Sequence, residues 1–246
     1  MPRVSGTTQG FWDSFSSDYD AFQQGDAPER IINHLMDVGI LCPRSSVLEI
    51  GAGPGTYTHL LAPKVHHVTA TDVSERMLDI NMEGARVNHM DNISFVHDDW
   101  NHHVPIGGHD VCMMAFVPGS DSQESITRME SESDTCIIVS WNTNHGEDVT
   151  QAISRRLGIN WPHPSHDLSL RWLESNGRSA ERVIFDVEMA GTLPYEYMLE
   201  KELSRFGSAG IDAEEACREV ISNMCQNGHF TYCFQNRINV TYWCAD

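Results

Sequence analysis

The chain has 246 residues, 40% of them hydrophobic, so it is long and apolar enough to bury a core in one large domain or two small ones. Its 35 acidic and 16 basic residues give a formal net charge of −19, which argues against nucleic acid and anionic membranes as partners. No apolar run of about 18 residues is present, so no transmembrane helix is predicted. The first ten residues lack the apolar segment of a signal peptide.

The first half of the chain alternates between predicted helices and strands. A helix is predicted at residues 26–39, where Asp26 can cap the first turn and Gly39 can end the last one. The apolar run at residues 47–50 stops at glycines and predicts a strand buried on both faces. Further strands are predicted at residues 66–72, 93–100, 109–117 and 134–141, with helices at residues 56–62, 74–80 and 122–130. This alternation predicts a doubly wound α/β sheet with helices on both faces.

The C-terminal third is less regular but adds two more strands. The predicted elements are a helix at residues 165–177, a strand at 180–189, helical stretches at 195–207 and 212–228, and a strand at 229–243. We therefore expect one domain with an N-terminal lid and helix (1–40), a ligand-binding core (45–141) and two insertions (142–165 and 190–228). Open α/β sheets bind ligands at the carboxyl ends of their strands, and we expect both insertions to lie there.

The strongest chemical signal is the segment "VLEIGAGPGTYT", in which three glycines follow a strand that carries an acid. Glycine allows the sharp turn from strand to helix and lets a ligand approach the backbone without a Cβ atom in the way. Dinucleotide-binding loops have the spacing G-x-G-x-x-G, whereas this loop has G-x-G-x-G with Glu49 two residues before the first glycine. A carboxylate so close would repel a pyrophosphate and suits a ligand that carries an ammonium group.

Two further acids follow the next two strands. Asp72 ends the second strand, where an acid can accept hydrogen bonds from a ribose diol. Asp99 follows the third strand, where it can accept a hydrogen bond from an adenine amino group, although the neighbouring Asp98 competes for this role. Ammonium, ribose and adenine sites along one sheet edge describe S-adenosylmethionine.

These segments, with "TATDVSERML", "FVHDDW" and "HDVCMMAFV", resemble those of class I S-adenosylmethionine-dependent methyltransferases that act on small molecules. The resemblance covers roughly residues 12–141. It implies a Rossmann-like, doubly wound, seven-stranded and mostly parallel sheet with an antiparallel last strand and helical insertions over the active site. It also implies transfer of a methyl group by in-line displacement, with S-adenosylhomocysteine as the product.

The resemblance assigns roles to individual residues. The amino-acid end of the cofactor would be held by residues in and before the glycine loop: Glu49, Gly51, Ala52, Gly53 and Gly55. The nucleoside would be bound by residues after the second and third strands: Asp72 at the ribose, Val73 and Met77 beside the adenine, Asp99 at its amino group, and Trp100 next to it. Ala115 and Phe116 would line the site near the reacting methyl group. An N-terminal lid would contribute Phe11, Trp12 and Tyr19.

Two features depart from the family pattern. The position after Asp99 is usually small and here is Trp100, so we expect a reshaped adenine pocket. The fourth strand is followed by "AFVPGS" instead of the N-P-P-Y or D-P-P-Y of base-modifying members, which removes support for methylation of nucleic-acid bases. The region from residue 142 onward matches no particular subgroup, and no catalytic residue is predicted.

Alternative interpretations remain open at several positions. Glu49 could serve a helix dipole, and Asp72 could cap the helix that begins near Ser74. The thirteen histidines do not predict a metal site, since adjacent histidines on a strand point to opposite faces. The whole chain could be a non-catalytic scaffold that keeps a methyltransferase fold, or a nicotinamide-dependent oxidoreductase, which the glycine spacing disfavours.

The seven cysteines bear on the compartment. Their count is odd, no C-x-x-C pair is present, and several lie in apolar runs where a thiol acts as a small hydrophobe. This pattern favours a reducing compartment and predicts a cytoplasmic location. The expected partner is a small-molecule methyl acceptor; neither the acceptor nor the oligomeric state can be read from the sequence.

Overall fold

The centre of the computed structural model is a mixed β-sheet; the model describes residues 9, 10, 13, 25–104, 107–117, 122–142, 149–160 and 168–245. The described strands are β1 (Ser46–Ile50), β2 (His67–Asp72), β3 (Ile93–His97), β4 (His109–Ala115), β5 (Ser133–Asn142), β6 (Ala180–Pro194), β7 (Cys225–Gln226) and β8 (His229–Cys244). Their order across the sheet is β3-β2-β1-β4-β5-β8-β6, and the two-residue β7 pairs with β8.

Strand direction confirms the predicted sheet. The pairs β1–β2, β1–β4, β2–β3 and β4–β5 are parallel, and β8 is antiparallel to both of its long neighbours, β5 and β6. Six long strands therefore share one direction and the last strand opposes them. Strand β7 and the last five residues of β6 were not predicted from the sequence.

Helices connect and cover the strands. They are α1 (Ala27–Asp37), α2 (Thr58–Leu61), α3 (Glu75–Val87), α4 (Gln123–Glu132), α5 (Val149–Arg156), α6 (Leu168–Ser175), α7 (Tyr195–Ser208) and α8 (Glu214–Met224). Helix α5 falls in a stretch to which the sequence analysis assigned no helix. None of the described helices is both long and apolar enough to cross a membrane.

The two faces of the sheet bury separate apolar clusters, as expected for strands whose successive side chains alternate between faces. One face packs Val47, Val111 and Val139 against helices α1 and α2, which contribute Ile31 and Leu61. The opposite face packs a second set against helices α4 and α6: Leu48, Met114, Ile138, Ile126, Met129 and Leu173. Helices therefore cover both faces, and β1, β4 and β5 contribute side chains to both clusters.

Strands β6 and β8 extend well past the carboxyl end of β5. Strand β5 ends at Asn142, which pairs with Arg237 of β8, and Arg237 pairs in turn with Asp186 of β6. Beyond these residues β6 and β8 continue to pair with each other as far as Pro194 and His229. We call this part, residues 187–194 with 229–236, the ribbon. At about 3.3 Å per residue it projects roughly 25 Å beyond the sheet.

A third apolar cluster lies on the ribbon. It joins Val149 and Ile153 of α5 to Phe206 of α7 and Ile221 of α8, and it includes Leu193 of β6. Helix α5 belongs to the first predicted insertion and the other two helices to the second. Both insertions therefore share one core, on the side of the sheet where the parallel strands end.

Candidate active site

A cleft opens at the carboxyl ends of β1, β2, β3 and β4, and it occupies about 780 Å³ counted to its open mouth. It is lined by residues from the loops after these four strands: Ile50, Gly51, Gly53, Thr71, Asp72, Val73, Met77, Asp98, Asp99, Trp100, Asn101, Ala115, Phe116 and Val117. Nine of the thirteen predicted cofactor-binding residues are in this set: Gly51, Gly53, Asp72, Val73, Met77, Asp99, Trp100, Ala115 and Phe116.

The glycine loop has two distinct requirements for glycine. Gly53 has a φ of +55°, and a Cβ atom added to it would meet no atom within 4 Å, so its backbone borders open space in the cleft. Gly55 has a φ of +100°, and a Cβ atom there would lie 2.5 Å from Asn81 Oδ1. Gly53 is thus free to receive a ligand at close range, whereas Gly55 is required by packing behind the loop.

Glu49 lies behind the loop and does not line the cleft. It is 2% exposed, and its Oε2 accepts a 2.6 Å hydrogen bond from the hydroxyl of Thr58. Asn81 continues this buried chain, since its Nδ2 donates to Thr58 Oγ1 at 2.9 Å and to the carbonyl of Gly53 at 3.3 Å. Burial raises the pKa of Glu49 to about 8, against the opposing effect of the hydrogen bond from Thr58. Ala52 and Gly55 are likewise not among the lining residues.

Asp72 connects the glycine loop to the next strand. It is 8% exposed; its Oδ2 accepts a 2.8 Å hydrogen bond from the backbone N–H of Gly53, and its Oδ1 accepts one of 2.8 Å from Ser74. Burial raises the pKa of this carboxyl, opposed by these backbone bonds. The cap of α3 is Ser74, whose hydroxyl accepts from the backbone N–H of Met77. Asp72 therefore supports the cap without being the cap itself.

The N-terminal segment reaches this rim of the cleft at one described residue. The hydroxyl of Ser74 donates a hydrogen bond to Asp13 Oδ1. The three aromatic residues predicted for a lid, Phe11, Trp12 and Tyr19, lie outside the described residues. The lid stays a prediction.

Asp99 is held by its own loop. Its Oδ1 accepts hydrogen bonds of 3.0 Å from the backbone and side-chain nitrogens of Asn101, and its Oδ2 accepts one of 2.8 Å from His102 Nδ1. Partial burial raises the pKa of Asp99, but the hydrogen bonds from Asn101 and His102 outweigh it and hold that pKa below its usual value.

Trp100 lines the cleft, but most of its contacts are with protein. Its ring stacks on His103 with centroids 5.0 Å apart, and its Nε1 donates a 3.0 Å hydrogen bond to Ser125 Oγ of helix α4. The guanidinium of Arg128, also on α4, lies 5.3 Å from the ring centroid. The bulky ring thus ties the loop after β3 to α4.

An aromatic group stands at the end of β4. Phe116 has a φ of +58°, a left-handed conformation that is unusual for a bulky residue and is typically retained at functional sites. Its backbone N–H donates a 2.9 Å hydrogen bond to the carbonyl of Val139, which fixes the turn. Its ring centroid lies 4.6 Å from that of Trp141 and 6.5 Å from that of Tyr57. Of the three aromatic residues, Phe116 lines the cleft, on the side of β4.

The charges of the cleft are of one sign. The lining set contains three carboxylates, Asp72, Asp98 and Asp99, and no lysine, arginine or histidine among the residues the structure describes. Such a cleft attracts a cation and repels phosphate. The same described part of the chain contains no group of three or more His, Cys, Asp or Glu side chains suited to a metal ion.

Five lining residues were not among the predicted site residues: Ile50, Thr71, Asp98, Asn101 and Val117. Each lies within two residues of a predicted one. Asp98 was weighed against Asp99, and the sequence offered no signal strong enough to separate them. The other four line the cleft because they lie at the strand ends or in the loops that follow them: Ile50, Thr71, Asn101 and Val117.

Fold and site together define a Rossmann-like domain with an acidic cleft at the carboxyl edge of its sheet. Residues 47–133, which include the glycine loop and the three acids, match the family model described as "Methyltransferase domain". No curated protein matches the chain.

Solved structures share the fold. The YcgJ protein of Bacillus subtilis aligns with a TM-score of 0.58 at 14% identity, over 90% of this chain and 100% of its own. DhpI in complex with SAH aligns with a TM-score of 0.57 at 16% identity, over 98% and 97%. Coclaurine N-methyltransferase bound to N-methylheliamine and SAH aligns with a TM-score of 0.51 at 14% identity, over 88% and 72%. The chain therefore carries a methyltransferase domain over residues 47–133 and shares the fold of S-adenosylmethionine-dependent methyltransferases.

Proposed function

We propose that the chain transfers the methyl group of S-adenosylmethionine to a small-molecule acceptor. The observation that carries this proposal is the cleft itself, in which three carboxylates and, among the residues that the structure describes, no cationic side chain surround a glycine loop. The cofactor is a cation without phosphate, so it suits a site from which a nicotinamide dinucleotide would be repelled. The methyl group on its sulfonium is already activated for displacement.

The amino-acid end of the cofactor fits the glycine loop. In the proposal the open backbone at Gly53 and the neighbouring Gly51 and Ala52 receive this end, and Gly55 lets the loop turn into α2. Glu49 supports the loop from behind through Thr58 and places a carboxyl group close to where an ammonium would lie. An arriving ammonium favours the ionised form of Glu49, because an opposite charge lowers the pKa of a carboxyl.

The nucleoside fits the next two strand ends. Asp72 is assigned to the ribose diol, since each of its oxygens keeps a lone pair after accepting one backbone hydrogen bond. Val73 and Met77 are assigned to the faces of the adenine ring, with Asp99 and Trp100 at its far end. Asp72 and Asp99 have short side chains that accept hydrogen bonds from backbone N–H groups, which favours a preorganised site.

The acceptor is assigned to the side of the cleft bounded by Ala115 and Phe116. The chain's task there is to align the acceptor atom with the methyl group and the sulfur and to exclude water. The new bond forms between the acceptor atom and the methyl carbon while the methyl–sulfur bond breaks, and its electron pair stays on sulfur. We assign Tyr19, from the predicted lid, to closing the cofactor site, and we assign no general base.

A small molecule is favoured over nucleic acid by charge. The net charge of −19 and the acidic lining oppose a phosphate backbone. The ribbon and its helices project on the carboxyl side, where they can cover an acceptor and select it by shape.

The test is a calorimetric titration with S-adenosylmethionine and S-adenosylhomocysteine, followed by a screen of amines, phenols, thiols and carboxylates with methyl-labelled cofactor. We expect binding of both ligands and labelling of at least one acceptor class. Absence of binding at millimolar ligand would defeat the proposal; binding without any transfer would favour a non-catalytic scaffold.

The substitution Asp72→Ala should weaken S-adenosylhomocysteine binding by about 1–3 kcal/mol, because it removes the acceptor of the ribose hydroxyls and strands the N–H groups of Gly53 and Ser74. The same titration measures it, with Asp110→Ala as the control, since Asp110 caps Ser46 at the opposite end of β1. Equal affinities of the wild type and Asp72→Ala would contradict the ribose assignment.

A further inference from the structure

His103 forms a buried link between the cleft and helix α4. Its side chain is 9% exposed, and its Nδ1 is hydrogen-bonded to Asp98 Oδ2 on the rim of the cleft. Its Nε2 lies 2.7 Å from Oε1 of Glu132, the last residue of α4. Trp100 stacks on the imidazole ring and restricts its rotation. Both nitrogens and one face of the ring are therefore occupied.

Glu132 is a fixed anchor for this link. Its side chain is fully buried, and its second carboxylate oxygen accepts a 3.0 Å hydrogen bond from the backbone N–H of Gly107. A buried carboxylate is costly unless its oxygens are hydrogen-bonded. Rotation of His103 would break its hydrogen bonds to both Asp98 and Glu132, so the orientation of His103 is strongly determined.

The two neighbouring acids of the cleft differ in what remains for a ligand. Asp99 Oδ1 accepts two hydrogen bonds from Asn101 and its Oδ2 accepts one from His102, so a single lone pair, on Oδ2, is left for a ligand. Asp98 accepts through Oδ2 alone, and its Oδ1 has no hydrogen bond to any residue that the structure describes. Asp98 also lines the cleft, and its backbone N–H is bonded to the carbonyl of Asp72.

We propose that Asp98, held by His103 and Glu132, is the carboxylate that accepts the hydrogen bond from the 6-amino group of the adenine ring. This inference rests on the proposed cofactor site and assigns to Asp98 the contact that the sequence pattern assigns to Asp99. Asp98 is the binding residue. His103 touches no ligand and is a positioning residue, since it fixes which carboxylate oxygen faces the cleft.

If Asp98 makes this contact, the affinity for the ligand should depend on whether the 6-amino group of the adenine ring is present. In the wild type, S-adenosylhomocysteine should bind roughly tenfold more tightly than its analogue with hydrogen in place of the 6-amino group, the size of one hydrogen bond to a charged acceptor. Removing the carboxylate or the amino group breaks the same bond, so the two changes are not additive. The variant Asp98→Asn offers at most a neutral amide oxygen to the 6-amino group, a weaker acceptor than a carboxylate, and should lower the ratio of the two affinities to about threefold or less.

Asp99→Asn is the matched control, because it makes the same chemical change one residue away in the same cleft. It should leave the ratio near its wild-type value even if it weakens both ligands. A second variant, Asp98→Ser, covers the case in which the asparagine variant does not fold; circular dichroism checks folding of each protein.

Two substitutions of His103 test whether its hydrogen bond to Asp98 matters or whether its side chain only fills the space beside Asp98. Asparagine places an amide nitrogen near the position of Nδ1 and can still donate to Asp98, whereas glutamine places one near Nε2 and can reach only Glu132. We expect His103→Asn to keep most of the wild-type ratio and His103→Gln to lose most of it. Equal ratios in these two variants would overturn the positioning role.

The outcomes separate this inference from the proposed function. If the wild type binds neither ligand, the proposed function fails. If it binds S-adenosylhomocysteine and Asp98→Asn leaves the ratio unchanged, the function stands and the role of Asp98 is overturned. A ratio that falls only in Asp99→Asn returns the contact to Asp99.

Discussion

The cofactor cleft and the ribbon are built in different ways. The cleft is made from short loops after five- to seven-residue strands, and backbone N–H groups fix its acidic side chains at 2.8–3.0 Å. The ribbon consists of two long paired strands that carry three helices around an apolar cluster of their own. The family model covers residues 47–133, and it ends before the ribbon begins. We infer that the cofactor constrains the first region closely and that the second is free to differ according to the acceptor.

The most direct test of this comparison is to remove the largest fully buried side chain of the ribbon cluster. Phe206 is fully buried there, so Phe206→Ala should lower the free energy of unfolding of the ribbon helices by about 3–5 kcal/mol. Hydrogen exchange should show lost protection at residues 195–224. Affinity for S-adenosylhomocysteine should change less than about twofold, because the cleft does not use this cluster. A parallel loss of cofactor affinity would mean that the two regions form one cooperative unit.

Glu49, behind the glycine loop, gives the cleft region a stability that depends on pH. The pKa of Glu49 is raised from 4.5 to about 8 in the folded protein, so its contribution to stability is present below pH 4.5 and is lost as the pH rises through about 8. Relative to Glu49→Gln, the wild type without cofactor should lose on the order of 3 kcal/mol of unfolding free energy between pH 5 and pH 9. Urea denaturation at several pH values measures this.

Glu202 serves as the matched control for that measurement. It is a buried glutamate in the ribbon region, hydrogen-bonded to Thr150, and Glu202→Gln should not remove the pH dependence assigned to Glu49. Identical pH profiles for the wild type and Glu49→Gln would show that Glu49 is ionised throughout.

Gly53 and Gly55 of the glycine loop should respond differently to substitution, because the first is assigned to ligand binding and the second to packing. Gly55→Ala should cost about 2 kcal/mol of stability, because the new methyl group meets Asn81 and His59 in a left-handed backbone conformation. Gly53→Ala should cost about 1 kcal/mol for its backbone alone, yet weaken cofactor binding at least tenfold by filling the open cradle. Thermal unfolding and calorimetry, run on both variants, measure the two effects. The reverse ranking of affinities would place the ligand elsewhere.

Much of the cleft could be predicted because its signals are local. The glycine spacing and the acid at the end of β2 follow directly from strand ends that the sequence marks clearly. The choice between Asp98 and Asp99 could not be made in this way. It depends on which oxygens are already bonded, and that is decided by His103 and by Glu132, which lies more than thirty residues away in the sequence.

The ribbon was harder to predict because its contacts are distant in sequence. Gly191 and Pro194 suggest the end of a strand, yet β6 continues through both since β8 pairs with it along its full length. Helix α5 is eight residues long, and its buried Val149 and Ile153 belong to a cluster whose other members lie on β6, β8, α7 and α8 or just before α8. A short pattern of this kind carries little information until those partners are in place.

The register of β8 also marks a natural point of exchange. At Arg237 this strand pairs with the last residue of β5 on one side and with Asp186 on the other, and from there toward its beginning its partners among the described residues are β6 and β7. A transplant from another methyltransferase would exchange residues 188–236 together with α5, because Val187 packs in the first cluster whereas Val149 and Ile153 of α5 complete the ribbon cluster. Such chimeras should still bind the nucleoside of the cofactor, and the protein that supplies the transplanted segments should determine which acceptor is methylated.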